Sequence, residues 1–142
     1  MSMEGTSRGH AARPHTADVI IEAWAPTAPE CYEEAVSALV EVFADTAGVG
    51  EGGDLSFDVG PGDPEELLVL LLEELLTNVE ARALVPVSAR VDVVGDRLVG
   101  AFAAVPADHV ELIGPVPKGV SYNDLLFEQH DRGWCCRATV DV

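Results

Sequence analysis

Positive charge is scarce in this chain: one lysine and seven arginines face 25 acidic residues, for a formal net charge of −17. So acidic a surface does not by itself hold a phosphate backbone, which is bound by Lys and Arg displacing counterions. Any nucleic acid must be held by something else. The charge would draw a basic protein partner or a hard cation, and it serves simple solubility equally well. Cysteine is sparse too. Cys31, Cys135 and Cys136 are odd in number and lack CxxC spacing, which suggests neither a disulfide framework nor a thiolate zinc site and fits a reducing cytoplasm. No hydrophobic run is long. The longest, Leu67 to Leu76, is flanked or interrupted by Glu65, Glu66, Glu73 and Glu74, and falls well short of the roughly 20 residues a bilayer requires. The start, MSMEGTSRGHAARP, lacks an apolar segment of the secretory kind and reads as a disordered tail over residues 1–13. A soluble, cytoplasmic protein with no membrane partner is expected. GxGxxG, P-loop and HExxH patterns are all missing, which removes the common nucleotide and metalloprotease readings.

What is present suits one domain over residues 14–142, because 142 residues with 48% hydrophobic content support a single core. Asp18 to Trp24 is β-branched and alternating, a first strand. Thr27-Ala28-Pro29-Glu30 follows as a capping box, opening a helix whose stripe is Tyr32, Val36, Leu39, Val40 and Phe43. Glycines 48, 50, 52 and 53 end it in an acidic loop, and Ser56 to Val59 forms a short strand. Asp63-Pro64-Glu65-Glu66 starts a second helix, with an N-cap Asp and Pro at the first helical position. Its leucines cover most of its circumference, so it is a central, buried helix. Val91 to Phe102 reads as a hairpin around Gly95-Asp96. Val120 to Phe127 and Trp134 to Val142 are two further strands joined at His130-Asp131-Arg132-Gly133. The expected fold is α+β, two helices packed on a mainly antiparallel sheet.

The first candidate site is His15-Thr16-Ala17-Asp18, at the start of the first strand, together with Asp141 at the end of the last. If the terminal strands lie side by side, Asp18, Asp141 and the α-carboxylate of Val142 converge. Three oxygen donors without thiolates suit calcium or magnesium. Brought together, such groups repel one another unless a cation or proton intervenes. Asp18 is also readable as a turn cap and Asp141 as an ordinary solvated residue. His15 offers a general base beside Asp18, although no Ser or Cys nucleophile sits in a recognisable motif. Glu73 and Glu74, Asp92 and Asp96, and Asp108-His109 read as solvated faces or turns. Cys135 and Cys136 are neighbours in a strand and face opposite ways, one in the core and one near the surface. The lone Lys118, just ahead of a strand, could meet a phosphate, a partner carboxylate or a local ion pair.

Taken together, His15-Thr16-Ala17-Asp18-Val19, the helix after it, the leucine-rich helix from Asp63, Lys118-Gly119-Val120-Ser121-Tyr122 and the terminal Asp141-Val142 resemble the archease family over roughly residues 13–142. The resemblance implies a non-enzymatic protein cofactor of the tRNA-splicing RNA ligase, which joins tRNA halves through a guanylylated histidine. It implies that Asp18, Asp141 and the terminal carboxylate or carbonyl of Val142 hold a divalent cation, calcium foremost and magnesium as the alternative. His15, Lys118 and Tyr122 are candidate partner contacts, and RNA is met only through the ligase. Two departures stand out: Ala103-Ala104-Val105-Pro106 occupies a segment where many relatives carry Gly-Glu, and Asn123 follows Tyr122 where His is common. Two other functions stay open. One is a metal-dependent hydrolase using Asp18 and His15; the other is a chaperone-like interaction module, which would display an exposed apolar patch.

Overall fold

The structure, a computed structural model, describes the backbone of residues 7–15 and 18–142, and all of these side chains except those of 13–15. In chain order the elements are β1 (Gly9–His15), β2 (Asp18–Ala25), α1 (Ala28–Phe43), β3 (Ala44–Asp45), β4 (Gly53–Val59) and α2 (Pro64–Arg82). There follow β5 (Leu84–Val94), β6 (Arg97–Pro106), a 3-10 turn at Ala107–His109, β7 (Glu111–Leu112), β8 (Gly119–His130) and β9 (Gly133–Asp141). Four strands make one antiparallel sheet in the order β1-β2-β9-β8, and three make another in the order β4-β6-β5; β3 and β7 form a short pair. Helix α1 lies against β2 and β5, and α2 against β8 and β5, so the α+β arrangement expected from the sequence is the one observed. Among the described residues, no helix is long and apolar enough to cross a membrane.

Both helices begin where their caps dictate. At α2 the Asp63 carboxylate accepts from the Glu66 amide at 2.9 Å, and the Glu66 carboxylate accepts from the Asp63 amide at 3.1 Å, a reciprocal capping box ahead of Pro64. At α1 the Thr27 hydroxyl accepts from the Glu30 amide at 3.3 Å, but the Glu30 carboxylate meets the Thr27 hydroxyl instead of reaching back to the backbone. Leu67, Leu68, Leu71, Leu72, Leu75 and Leu76 of α2 are all buried, each worth about 1.5–3 kcal/mol on removal from water. Tyr32 of α1 ties this core together. Its ring stacks on Phe127 at 4.1 Å between centroids, and its hydroxyl donates to the Pro64 carbonyl at 2.8 Å.

The expected tail over residues 1–13 requires correction from residue 9 onward, because Gly9–His15 is strand β1, paired antiparallel with β2. Residues 1–6 lie outside the described part. Composition hid this strand: Gly, Ala and Pro carry little alternation, and what recruits the segment is a partner distant in sequence. Arg8 bonds Glu30 and Glu34 of α1, and His10 lies between Glu34 and Glu41. Glu30, Glu34 and Glu41 recur at helical spacing and so share one acidic stripe. Gly9 leaves room for the Trp24 indole, which a Cβ there would overlap.

Candidate functional site

Strand β2 starts at Asp18 and β9 ends at Asp141, and the antiparallel register sets these two residues directly opposite each other. Adjacency of the terminal strands, on which their convergence depended, is therefore met in the backbone. On its other side Asp141 pairs with Gly119, and its carbonyl accepts from the Lys118 amide at 2.6 Å. Helix α2 contributes Glu73, whose carboxylate accepts from the Val120 amide at 3.2 Å and so pins the helix to the start of β8.

Asp18, Glu73, Lys118, Gly119, Val120, Ser121 and Asp141 line a cleft of about 380 Å³. Three carboxylates face one ammonium, an excess of two negative charges with all groups ionised. Among the described lining residues the donors are oxygens, with neither thiol nor imidazole, and this set fits a hard cation such as Ca²⁺ or Mg²⁺. The Ser121 hydroxyl accepts from the Asn123 amide at 3.0 Å.

Glu73 is the residue that reading the chain missed. It was expected on a solvated face, yet it is half-buried and bonded to β8. The available signal was a charge pair interrupting the leucine run of a helix otherwise buried on most sides. Val142 directly follows Asp141 and is not among the lining residues. The His15 side chain, with Thr16 and Ala17, lies outside the described residues. Tyr122 is 65% exposed and stands off the cleft, where β8 loses register with β9 between Ser121 and Leu126; Asp124 there adopts a left-handed φ of 57°. Of the two departures, Asn123 is exposed in that bulge and touches the lining only through its amide, which donates to the Ser121 hydroxyl, and Ala104 is buried in β6 opposite Gly53 and is not a lining residue.

Cys135 and Cys136 do face opposite sides of the sheet, with Cys136 in the core, but neither is near solvent. One of the two was expected near the surface, yet Cys135, the one on the outer face of the sheet, is 2% exposed, with Trp24 opposite it and Arg137 two residues along that face.

The family described as the Archease protein family (MTH1598/TM1083) matches residues 11–142. A probable protein archease from Mycobacterium tuberculosis is 38% identical over 138 residues, spanning 97% of this chain and 77% of the relative. Among solved structures, the solution structure of Methanobacterium thermoautotrophicum protein 1598 superposes with a TM-score of 0.77 at 23% identity, covering 94% of this chain and 99% of that one. The Thermotoga maritima archease, described as a possible chaperone, superposes with a TM-score of 0.63 at 19% identity, covering 92% and 96%. These two structures share the fold.

Proposed function

This chain belongs to the archease family, and from that premise we propose that it is an accessory protein of a tRNA-splicing RNA ligase, promoting guanylylation of the ligase histidine and so its repeated turnover. The observation that carries the reading is the pairing of Asp18 with Asp141 at one end of the sheet, beside Glu73 and Lys118 in a single cleft. Asp18 and Asp141, with the terminal group of Val142, hold a divalent cation, calcium foremost. A cation bound there supplies fixed positive charge that meets phosphate oxygens. The carboxylates keep the cleft negative, and Lys118 at its rim offers a point charge to phosphate or to a partner carboxylate. The chain's net charge of −17 steers it toward a basic surface, such as one already adapted to RNA. The chain binds and positions, and the ligase carries out the bond-making steps.

The test is RNA joining under substrate excess with ligase from the same source. Wild-type protein should raise turnover, and Asp18→Ala should abolish that stimulation while leaving the fold intact by circular dichroism. Unchanged turnover with folded wild-type protein would sink the reading. A second reading, a chaperone-like module, draws on one feature: Leu112 and Ile113 are adjacent, 54% and 59% exposed. Suppression of aggregation without any ligase, unimpaired in Asp18→Ala, would favour it.

A further inference from the structure

The far end of the β8–β9 hairpin carries a second, chemically different group of donors. In the ladder Glu128 pairs with Cys135 and His130 with Gly133. Residues two apart on a strand share a face, and directly opposed residues share it too, so Glu128, His130 and Cys135 stand together. Gly133 places no side chain opposite His130, which leaves the imidazole room to lie along the ladder toward Cys135. Its Nε2 is 2.8 Å from the Cys135 Sγ. One ligand atom from each of the three residues lies within 4.8 Å of the other two. The sulfur is shielded at 2% exposure, while Glu128 and His130 are exposed, so the thiol forms a floor and the other two a rim.

The geometry points to a binding site for a divalent transition metal of the zinc class, held by the Cys135 sulfur, a His130 ring nitrogen and a Glu128 carboxylate oxygen. The donor set decides the class. Sulfur and nitrogen are poor ligands for calcium or magnesium, whereas Zn²⁺ takes thiolate, imidazole and carboxylate in one tetrahedron. Zn–S and Zn–N bonds of about 2.3 and 2.0 Å at tetrahedral angles separate S from N by roughly 3.5 Å. The observed pair therefore needs to open by less than about 1 Å, a movement within reach of the exposed His130 side chain. The fourth position opens through the rim to solvent and takes a water.

Burial, and then the Glu128 charge, push the Cys135 thiol up to about 11, while Arg137, next along the same face, favours the thiolate. When the sulfur bonds the metal, its S–H proton is released to solvent, so one proton leaves for each metal bound. This site is independent of the carboxylate cleft. Cys135 and Asp141 lie at opposite ends of β9, about 20 Å apart along the strand.

Cobalt(II) titration of the metal-stripped full chain tests the assignment, because Co²⁺ reports its ligands optically. One equivalent should produce a sulfur-to-cobalt charge-transfer band in the near ultraviolet with intense tetrahedral d–d bands, and Zn²⁺ should displace it. His130→Ala and Glu128→Gln change exposed residues, so the fold should survive; each should weaken cobalt binding more than about tenfold. Cys135→Ser should remove the charge-transfer band, and Asp141→Asn should leave it unchanged. Absence of the band in wild-type protein would overturn the proposal. So would an affinity unchanged in His130→Ala or in Glu128→Gln, which would put the sulfur ligand elsewhere, or loss of the band in Asp141→Asn.

Discussion

His10 Nδ1 stands 2.7 Å from a Glu34 carboxylate oxygen, and His10 Nε2 is equally close to Glu41. Only the doubly protonated imidazolium donates to both at once. This contact fastens β1, at the edge of the four-stranded sheet, onto the acidic stripe of α1.

A pH dependence follows. Burial alone would lower the His10 pKa, but the hydrogen bonds and charges of Glu34 and Glu41 together outweigh it, and the folded value is raised above 6.5. A raised folded pKa means stabilisation that is complete below the unfolded value and is lost as pH rises through the folded one. Compared with His10→Gln, wild-type protein should be more stable by up to about 1 kcal/mol at about pH 5.5, with the gap closing by about pH 9. Urea midpoints at the two pH values measure it. An equal gap at both would show that protonation of His10 contributes nothing.

The cleft should bind a cation. Calcium at about 100 times its dissociation constant stabilises a folded protein by about 2.7 kcal/mol. After chelator treatment, added Ca²⁺ should raise the melting temperature of wild-type protein, and Asp141→Asn should lose most of that shift. Glu73→Gln should weaken calcium binding while keeping an acceptor for the Val120 amide. An identical shift in all three proteins would place the calcium elsewhere.

Tyr32 separates two contributions. Tyr32→Phe keeps the stack on Phe127 but removes the hydrogen bond to the Pro64 carbonyl, at a cost of about 1 kcal/mol. Tyr32→Ala also leaves a cavity and should cost roughly 3–5 kcal/mol. Denaturant unfolding of the pair gives both values; equal losses would mean that the ring packing contributes little.

Gly100 tests the three-stranded sheet. A Cβ at this position would overlap the Arg90 carbonyl oxygen across the β5–β6 ladder and meet the Phe57 ring. Gly100→Ala should therefore destabilise by roughly 1–3 kcal/mol in chemical denaturation. An unchanged midpoint would show that the strands separate here at little cost.

The sequence by itself determined the elements whose signals lie within a few residues. Asp63, Pro64 and Glu66 announce α2 because a capping box closes over one turn, and the leucines that follow announce its burial. The alternation of Val19, Ile21 and Ala23 announces β2, and Gly95-Asp96 announces the β5–β6 hairpin. Asp18 and Asp141 were legible as a pair through a family resemblance at the two ends of the chain. Only the tertiary structure decided what each strand lies beside, because a ladder partner can be more than a hundred residues away and leaves no periodicity behind. It set Asp18 opposite Asp141, drew β1 from an apparent tail by way of α1 carboxylates, and turned Glu73 from a solvated residue into part of the cleft. It also brought Cys135 and His130 together across a two-residue turn, since hairpin register, not residue type, decides which side chains share a face.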